Sequence, residues 1–152
     1  MLPLLARLRR GGALIQLFTS RWANRELAHL ACQPVGISRG NPRWPLPFTY
    51  RRLIELAPSR EAFGLEDRDA FDAAYRAQLD ALGIEPIMGK LEKISRESGG
   101  LPPVLLCFEA DPADCHRGIA ARWIRERGVE IRELAPGDLP ERPGTPQLKL
   151  FG

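Results

Sequence analysis

Pro103-Val104-Leu105-Leu106-Cys107-Phe108 runs directly into Glu109-Ala110-Asp111-Pro112, and the reading of this junction decides the fold. The first stretch is apolar without polar alternation, which implies a strand buried on both faces, as in a parallel sheet. Asp111 then offers an N-cap and Pro112 occupies the first helical position, so a helix is predicted from there to about Arg127, with Gly128 as its stop. Residues 129–134, Val-Glu-Ile-Arg-Glu-Leu, alternate and predict a final strand. Strand, helix and strand in this order make a right-handed crossover unit.

Working outward, residues 13–18 form a short apolar run between Gly11-Gly12 and Thr19-Ser20, which predicts a buried strand. Val35-Gly36-Ile37-Ser38 predicts another. Three prolines within residues 41–47 exclude regular structure there. Phe71, Tyr75, Gln78, Leu79 and Leu82 recur at helical spacing and predict an amphipathic helix over 69–83, stopped by Gly83. Ile84, Ile87, Met88, Leu91 and Ile94 continue the period to Gly99-Gly100 as a second helix. The expected fold class is therefore α/β: a single compact domain over 1–134, with a mostly parallel sheet flanked by helices. Residues 135–152 hold four prolines and few apolar side chains before the last positions, and are read as a flexible tail.

A chain of 152 residues with 44% apolar content can bury one continuous core without metal or disulfide help. The net charge of +3 permits a nucleic-acid partner without requiring one. Its basicity lies in nineteen arginines against three lysines; the planar arginine fork suits phosphate and carboxylate, and a GC-rich coding genome explains the same bias. Three cysteines, Cys32, Cys107 and Cys115, are an odd number in a chain that needs no staples, so reduced thiols are expected. Without a signal-like segment or a spanning apolar run of about 18 residues, a cytoplasmic protein with no membrane partner is expected.

Ligands of open α/β sheets bind beyond the carboxyl ends of the strands, where helix N-termini favour anions. Residues 107–117 fall at such a place. Cys115 is a candidate nucleophile, activated by a helix N-terminus and opposed by Asp111 and Asp114. His116 is a candidate general acid or base, or a residue that orients the loop through a carbonyl. Arg117 can bind a phosphate or carboxylate, or lock Glu109 or Asp111 in place. Glu109 joins Cys115 and His116 as a catalytic candidate. A zinc reading would use Cys107, Glu109, Cys115 and His116, but the paired Cys-x-x-Cys of common structural sites is missing, so no metal or cofactor is expected. His29 and Cys32 read as ordinary helix or core residues.

Several of these segments together resemble a known family: Phe18-Thr19-Ser20-Arg21-Trp22, Val35-Gly36-Ile37-Ser38-Arg39 with Pro42-Arg43-Trp44, Leu56-Ala57-Pro58, and Leu106-Cys107-Phe108-Glu109 with Cys115-His116-Arg117. The chain is similar to the bacterial domain-of-unknown-function family numbered 488. That resemblance implies a compact α/β fold and a shared polar site at Ser20, Arg39, Pro42, Cys107, Glu109, Cys115, His116 and Arg117. It supplies no reaction. Members often carry a Gly-His pair where this chain has Thr19-Ser20, so no role of that histidine is carried over.

If the strand ends converge, Ser20, Arg39 and Arg117 would bind substrate in an anion-binding pocket beside Glu109, Cys115 and His116. Between Arg39 and Arg60 lie five arginines and one acid, interleaved with Trp44, Phe48 and Tyr50. The pattern is compatible with phosphate contact and base stacking, or with aromatics covering the core edge. Near the C-terminus, Gln147-Leu148-Lys149-Leu150-Phe151 resembles the pentapeptide by which bacterial replication and repair proteins dock on the sliding clamp. Gln147, Leu148, Leu150 and Phe151 fit its fixed positions. The expected function is an enzyme that processes nucleic acid or nucleotides and is docked to the sliding clamp. A non-catalytic DNA- or protein-binding adaptor and a small-molecule enzyme with a cysteine nucleophile are the alternatives.

Overall fold

The computed structural model describes residues 15–144. Among them five strands form one sheet: β1 (Phe18–Arg21), β2 (Gln33–Gly36), β3 (Arg51–Arg52), β4 (Pro103–Cys107) and β5 (Arg132–Glu133). Their order is β3-β2-β4-β1-β5, and every neighbouring pair is parallel. Four α-helices accompany them: α1 (Arg60–Phe63), α2 (Arg68–Leu82), α3 (Ile84–Glu97) and α4 (His116–Glu126). The α/β class and the parallel sheet stand as the apolar run of β4 predicted.

The reason is visible in β4 itself. Leu105 packs with Val35, Ile37, Tyr75, Met88 and Trp123 on one side, while Val104 and Leu106 pack with Phe18, Trp22 and Leu27 on the other. All three β4 residues are fully buried, so a polar side chain at any of them would lose its hydration without a partner. The two faces are covered differently. Helices α2, α3 and α4 lie on the Leu105 side. The opposite side is closed by the 3-10 turn Arg25–Ala28 and by irregular segments carrying Leu46, Phe48 and Tyr50. Gly36 allows this closure, because a Cβ there would meet the Trp22 ring at 2.5 Å.

The first strand lies further along than the apolar run suggested. It spans Phe18–Arg21, and of the expected 13–18 stretch residues 13 and 14 fall outside the described region. Thr19 and Ser20 tolerate the buried ladder because their hydroxyls are bonded: Thr19 Oγ1 donates to Glu133 Oε1 at 2.6 Å, and Ser20 Oγ accepts from Asn24 Nδ2 at 3.0 Å. The second strand likewise covers Gln33–Gly36 rather than 35–38. After Asp111 the chain makes only a 3-10 turn, Pro112–Asp114; Cys115 is extended, and α4 begins at His116. Asp111 does cap, but it caps that turn, accepting from Ala113 N–H.

Chain beyond the expected boundary at 134 also packs on the body. Leu139 is buried in the second apolar cluster, Ala31 N–H donates to Pro140 O at 2.8 Å, and Arg142 donates to the carbonyls of Leu30 and Cys32. The packed unit thus runs at least to Arg142. No helix among the described residues is long and apolar enough to cross a membrane.

Candidate functional site

Cys107 closes β4 and Cys115 immediately precedes α4, so the strand end and the helix start bring both thiols to one point at the sheet rim. Their sulfurs are brought into direct contact across a Cα separation of 6.9 Å, and both residues are buried. The sequence treated the three thiols separately; among the described residues Cys107 and Cys115 form a sulfur pair and Cys32 stands apart from it. The 3-10 turn folds the eight-residue interval back on itself, which neither cysteine's sequence neighbours announce. Cys32 is an ordinary core residue, as expected, and burial pushes its thiol up to about 11.

His116 is held from three sides. Its Nε2 lies 2.6 Å from Ile37 O, its ring stands edge-on to Tyr75 at 5.4 Å, and its Nδ1 lies 3.9 Å from Cys115 Sγ. Burial lowers its pKa to about 4; the Ile37 carbonyl opposes this and the Arg117 charge adds to it. The ring is therefore neutral near pH 7. A carbonyl can only accept, so the single N–H sits on Nε2 and the Nδ1 lone pair faces the sulfur. Tyr75 is itself fixed, its hydroxyl donating to Leu56 O at 2.6 Å.

Arg117 is fully buried, and all five of its N–H groups are engaged. Nε and Nη2 form a bidentate pair with Glu133 at 3.0 and 2.8 Å, Nη2 also donates to Ala110 O, and Nη1 donates to Glu109 O and to Cys107 Sγ at 3.3 Å. It is the clamp that shapes the loop after β4, leaving no donor for a substrate phosphate. Of the two roles the sequence left open, the structure fills the locking one, through the backbone of Glu109 rather than its carboxylate.

A cavity of about 230 Å³ opens above the sulfur pair. Cys115, His116 and Glu109 line it, with Phe63, Phe71 and Ile119 as its apolar part. Arg39 reaches only its outer rim, donating to Pro58 O at 3.0 Å and lying over the Phe63 ring at 5.7 Å. Ser20 belongs to a separate hollow with Asn24, Arg25 and Glu133. So three of the six predicted site residues share the cavity, one borders it, Arg117 lies beneath it and Ser20 is elsewhere. The lining carries three carboxylates, Glu66, Glu109 and Asp114, against the single guanidinium of Arg68. That is not the electropositive hollow expected for a phosphate.

Part of the arginine and aromatic stretch 39–60 is tied to the body, though Arg39, Arg43, Arg51 and Arg60 stay exposed. Arg51 pairs with Glu97 at 2.8 Å, Arg52 donates to Ser38 O at 2.6 Å, and Tyr50 packs edge-on against Trp22 at 4.8 Å. Phe48 sits on the second apolar cluster, and of the three aromatics Trp44 stands exposed, against Phe108. Sequence reasoning missed Glu133, the Ile37 carbonyl, Arg68 and Gly118. Gly118 gave a signal, since a glycine within a helix costs about 1 kcal/mol against alanine and often marks a close approach.

Fold and chemistry together define a parallel α/β protein with a Cys-Cys-His cluster at the carboxyl ends of its strands. The chain belongs to the family described as Domain of unknown function DUF488, whose profile matches residues 33–124, more than half of its length. The matched stretch contains Arg39, Pro42, Cys107, Glu109 and Cys115-His116-Arg117, and leaves Ser20 outside. Nothing among curated proteins or solved structures matches the chain. The clamp-like peptide, Gln147 to Phe151, lies outside the described residues.

Proposed function

We propose that this protein is a thiol-dependent enzyme that reduces a small disulfide, with Cys115 as the attacking sulfur and Cys107 as the resolving one. The observation that carries this reading is the meeting of Cys107, Cys115 and the His116 Nδ1 lone pair at one point, with Cys115 and His116 lining the cavity beside it. Cys115 precedes the first turn of α4, an 11-residue helix whose N-terminal dipole favours a thiolate. His116 is too weak a base to take the thiol proton, so Cys115 loses it to solvent and the neutral imidazole positions the sulfur. The thiolate attacks one sulfur of the substrate disulfide, that S–S bond breaks, and the departing thiolate takes a proton from solvent. Cys107, its charge supported by Arg117, then attacks Cys115 Sγ; the Cys107–Cys115 bond forms and the second substrate thiol leaves with the Cys107 proton. Two electrons and two protons have passed to the substrate, and a dithiol reductant restores the pair. The three lining carboxylates disfavour a phosphate substrate.

With excess dithiol and a small aromatic disulfide, the wild type is expected to turn over well above the uncatalysed rate, and Cys115→Ser is expected to fall to it. Equal turnover in both proteins sinks the proposal.

The peptide 147–151 favours a second reading, in which the substrate is a nucleotide or nucleic acid and the chain docks on the bacterial sliding clamp by burying Leu148, Leu150 and Phe151. Purified clamp is then expected to bind the wild type and not the Leu148→Ala, Phe151→Ala double variant. Binding that survives both changes removes this reading.

A further inference from the structure

We infer that the reduced form of this site binds one thiophilic cation of the Zn²⁺ class through Cys107 Sγ, Cys115 Sγ and His116 Nδ1, leaving a fourth position open to the cavity. The inference revises the sequence expectation of no metal and requires only that the two sulfurs be reduced. It does not depend on the disulfide-reducing activity.

The three ligand atoms already lie within 4.8 Å of one another. Zinc–sulfur bonds of about 2.3 Å and zinc–nitrogen bonds of about 2.0 Å place ligands on one tetrahedral ion about 3.6 Å apart. The distance between Cys115 Sγ and His116 Nδ1 is 3.9 Å, so that edge of the tetrahedron is nearly formed. The two sulfurs need only separate on reduction. A Cα separation of 6.9 Å leaves room for this, being already wider than the limit of about 6.8 Å that disulfides usually span.

The surroundings are those of a metal ligand set. A coordinating histidine ordinarily donates its second ring N–H to a carbonyl or carboxylate, which fixes the tautomer and aims the lone pair. Ile37 O does this for His116 at 2.6 Å. Arg117 donates to Cys107 Sγ while its own charge is balanced by Glu133. A divalent ion with two thiolates adds no net charge to the buried site, whereas two bare thiolates would add two negative ones. Three protein ligands with an open fourth position match the pattern of sites that bind an exchangeable group. Metal binding and disulfide formation use the same electron pairs and exclude each other. The cation therefore masks Cys115 in the reduced protein, and oxidation of the pair expels it.

The test titrates Zn²⁺ alone into the full, reduced chain without oxygen, with Co²⁺ in parallel because its spectrum reports tetrahedral sulfur coordination. One ion per chain is expected, unchanged in Cys32→Ser and weakened at least about tenfold in Cys107→Ser, Cys115→Ser and His116→Ala. Oxidising the wild type must release the ion and re-reduction must restore it, an arm that needs no substitution. Absence of uptake by the reduced wild type, or uptake that survives oxidation, overturns the inference. A protein that reduces disulfides but takes up no Zn²⁺ refutes the metal site and leaves the enzyme reading intact; the opposite pair of results does the reverse.

Discussion

Arg117→Ala is expected to lower the unfolding free energy by about 3 kcal/mol, the low end of the range for breaking a buried ion pair from one side, because Glu133 is 35% exposed. The loss is large because one side chain does three jobs. Its removal leaves the Glu133 carboxylate without its bidentate partner, strips the carbonyls of Glu109 and Ala110 of their donors, and opens a void beneath the sulfur pair. Exposed ion pairs behave differently, at about 0–1 kcal/mol, and Arg51–Glu97 on the surface serves as the internal comparison. Arg117→Lys keeps the charge but not the planar fork, so it is expected to recover only a minor part. Denaturant titration under reducing conditions measures all three. An Arg117→Ala loss of about 1 kcal/mol or less would mean that the residue does not organise the site.

Gly118→Ala is expected to destabilise the protein by about 2 kcal/mol, against the usual direction for a helix. Replacing a helical glycine by alanine ordinarily stabilises by about 1 kcal/mol. At Gly118, however, the new Cβ would overlap the Pro112 carbonyl oxygen and crowd its carbon at 3.0 Å. Overpacking against backbone costs about 1–3 kcal/mol or more, and here it outweighs the helical gain. The turn Pro112–Asp114 would have to move away from α4, taking Cys115 with it. Gly89 in α3 is the control, since a Cβ there meets nothing within 4 Å; Gly89→Ala is expected to stabilise. The same sign in both variants would contradict this packing.

The parallel sheet was legible because β4 carries no polar residue and the pattern of Phe71 to Leu82 is cleanly helical. The exact strand limits were not, since Thr19 and Ser20 look like the end of a strand until the bonds to Glu133 and Asn24 are known. At the site, the sequence expected Cys115, His116 and Glu109 near one another beyond β4, and the fold brings all three to one cavity, because that neighbourhood follows from sheet geometry. Sequence reasoning missed the pairing of two thiols: an eight-residue interval says nothing about a 3-10 turn that folds Cys115 back onto Cys107. It left the arginine content open between ligand charge and genome composition; in the fold Arg52 and Arg39 bond to the protein's own carbonyls, and Arg117 to two carbonyls, the Glu133 carboxylate and Cys107 Sγ. Partners far along the chain, such as Glu133 for Arg117 and Ile37 for His116, became visible only with the fold.

The most direct measurement of the central claim uses Cys107→Ser, which keeps the attacking sulfur and removes the resolving one. Reduced Cys107→Ser mixed with a small aromatic disulfide is expected to halt as a mixed disulfide on Cys115, one adduct per chain by intact mass and peptide mapping, while Cys32 stays unmodified. An adduct on Cys32 instead, or no adduct on Cys115 under conditions where the wild type turns over, would contradict the account.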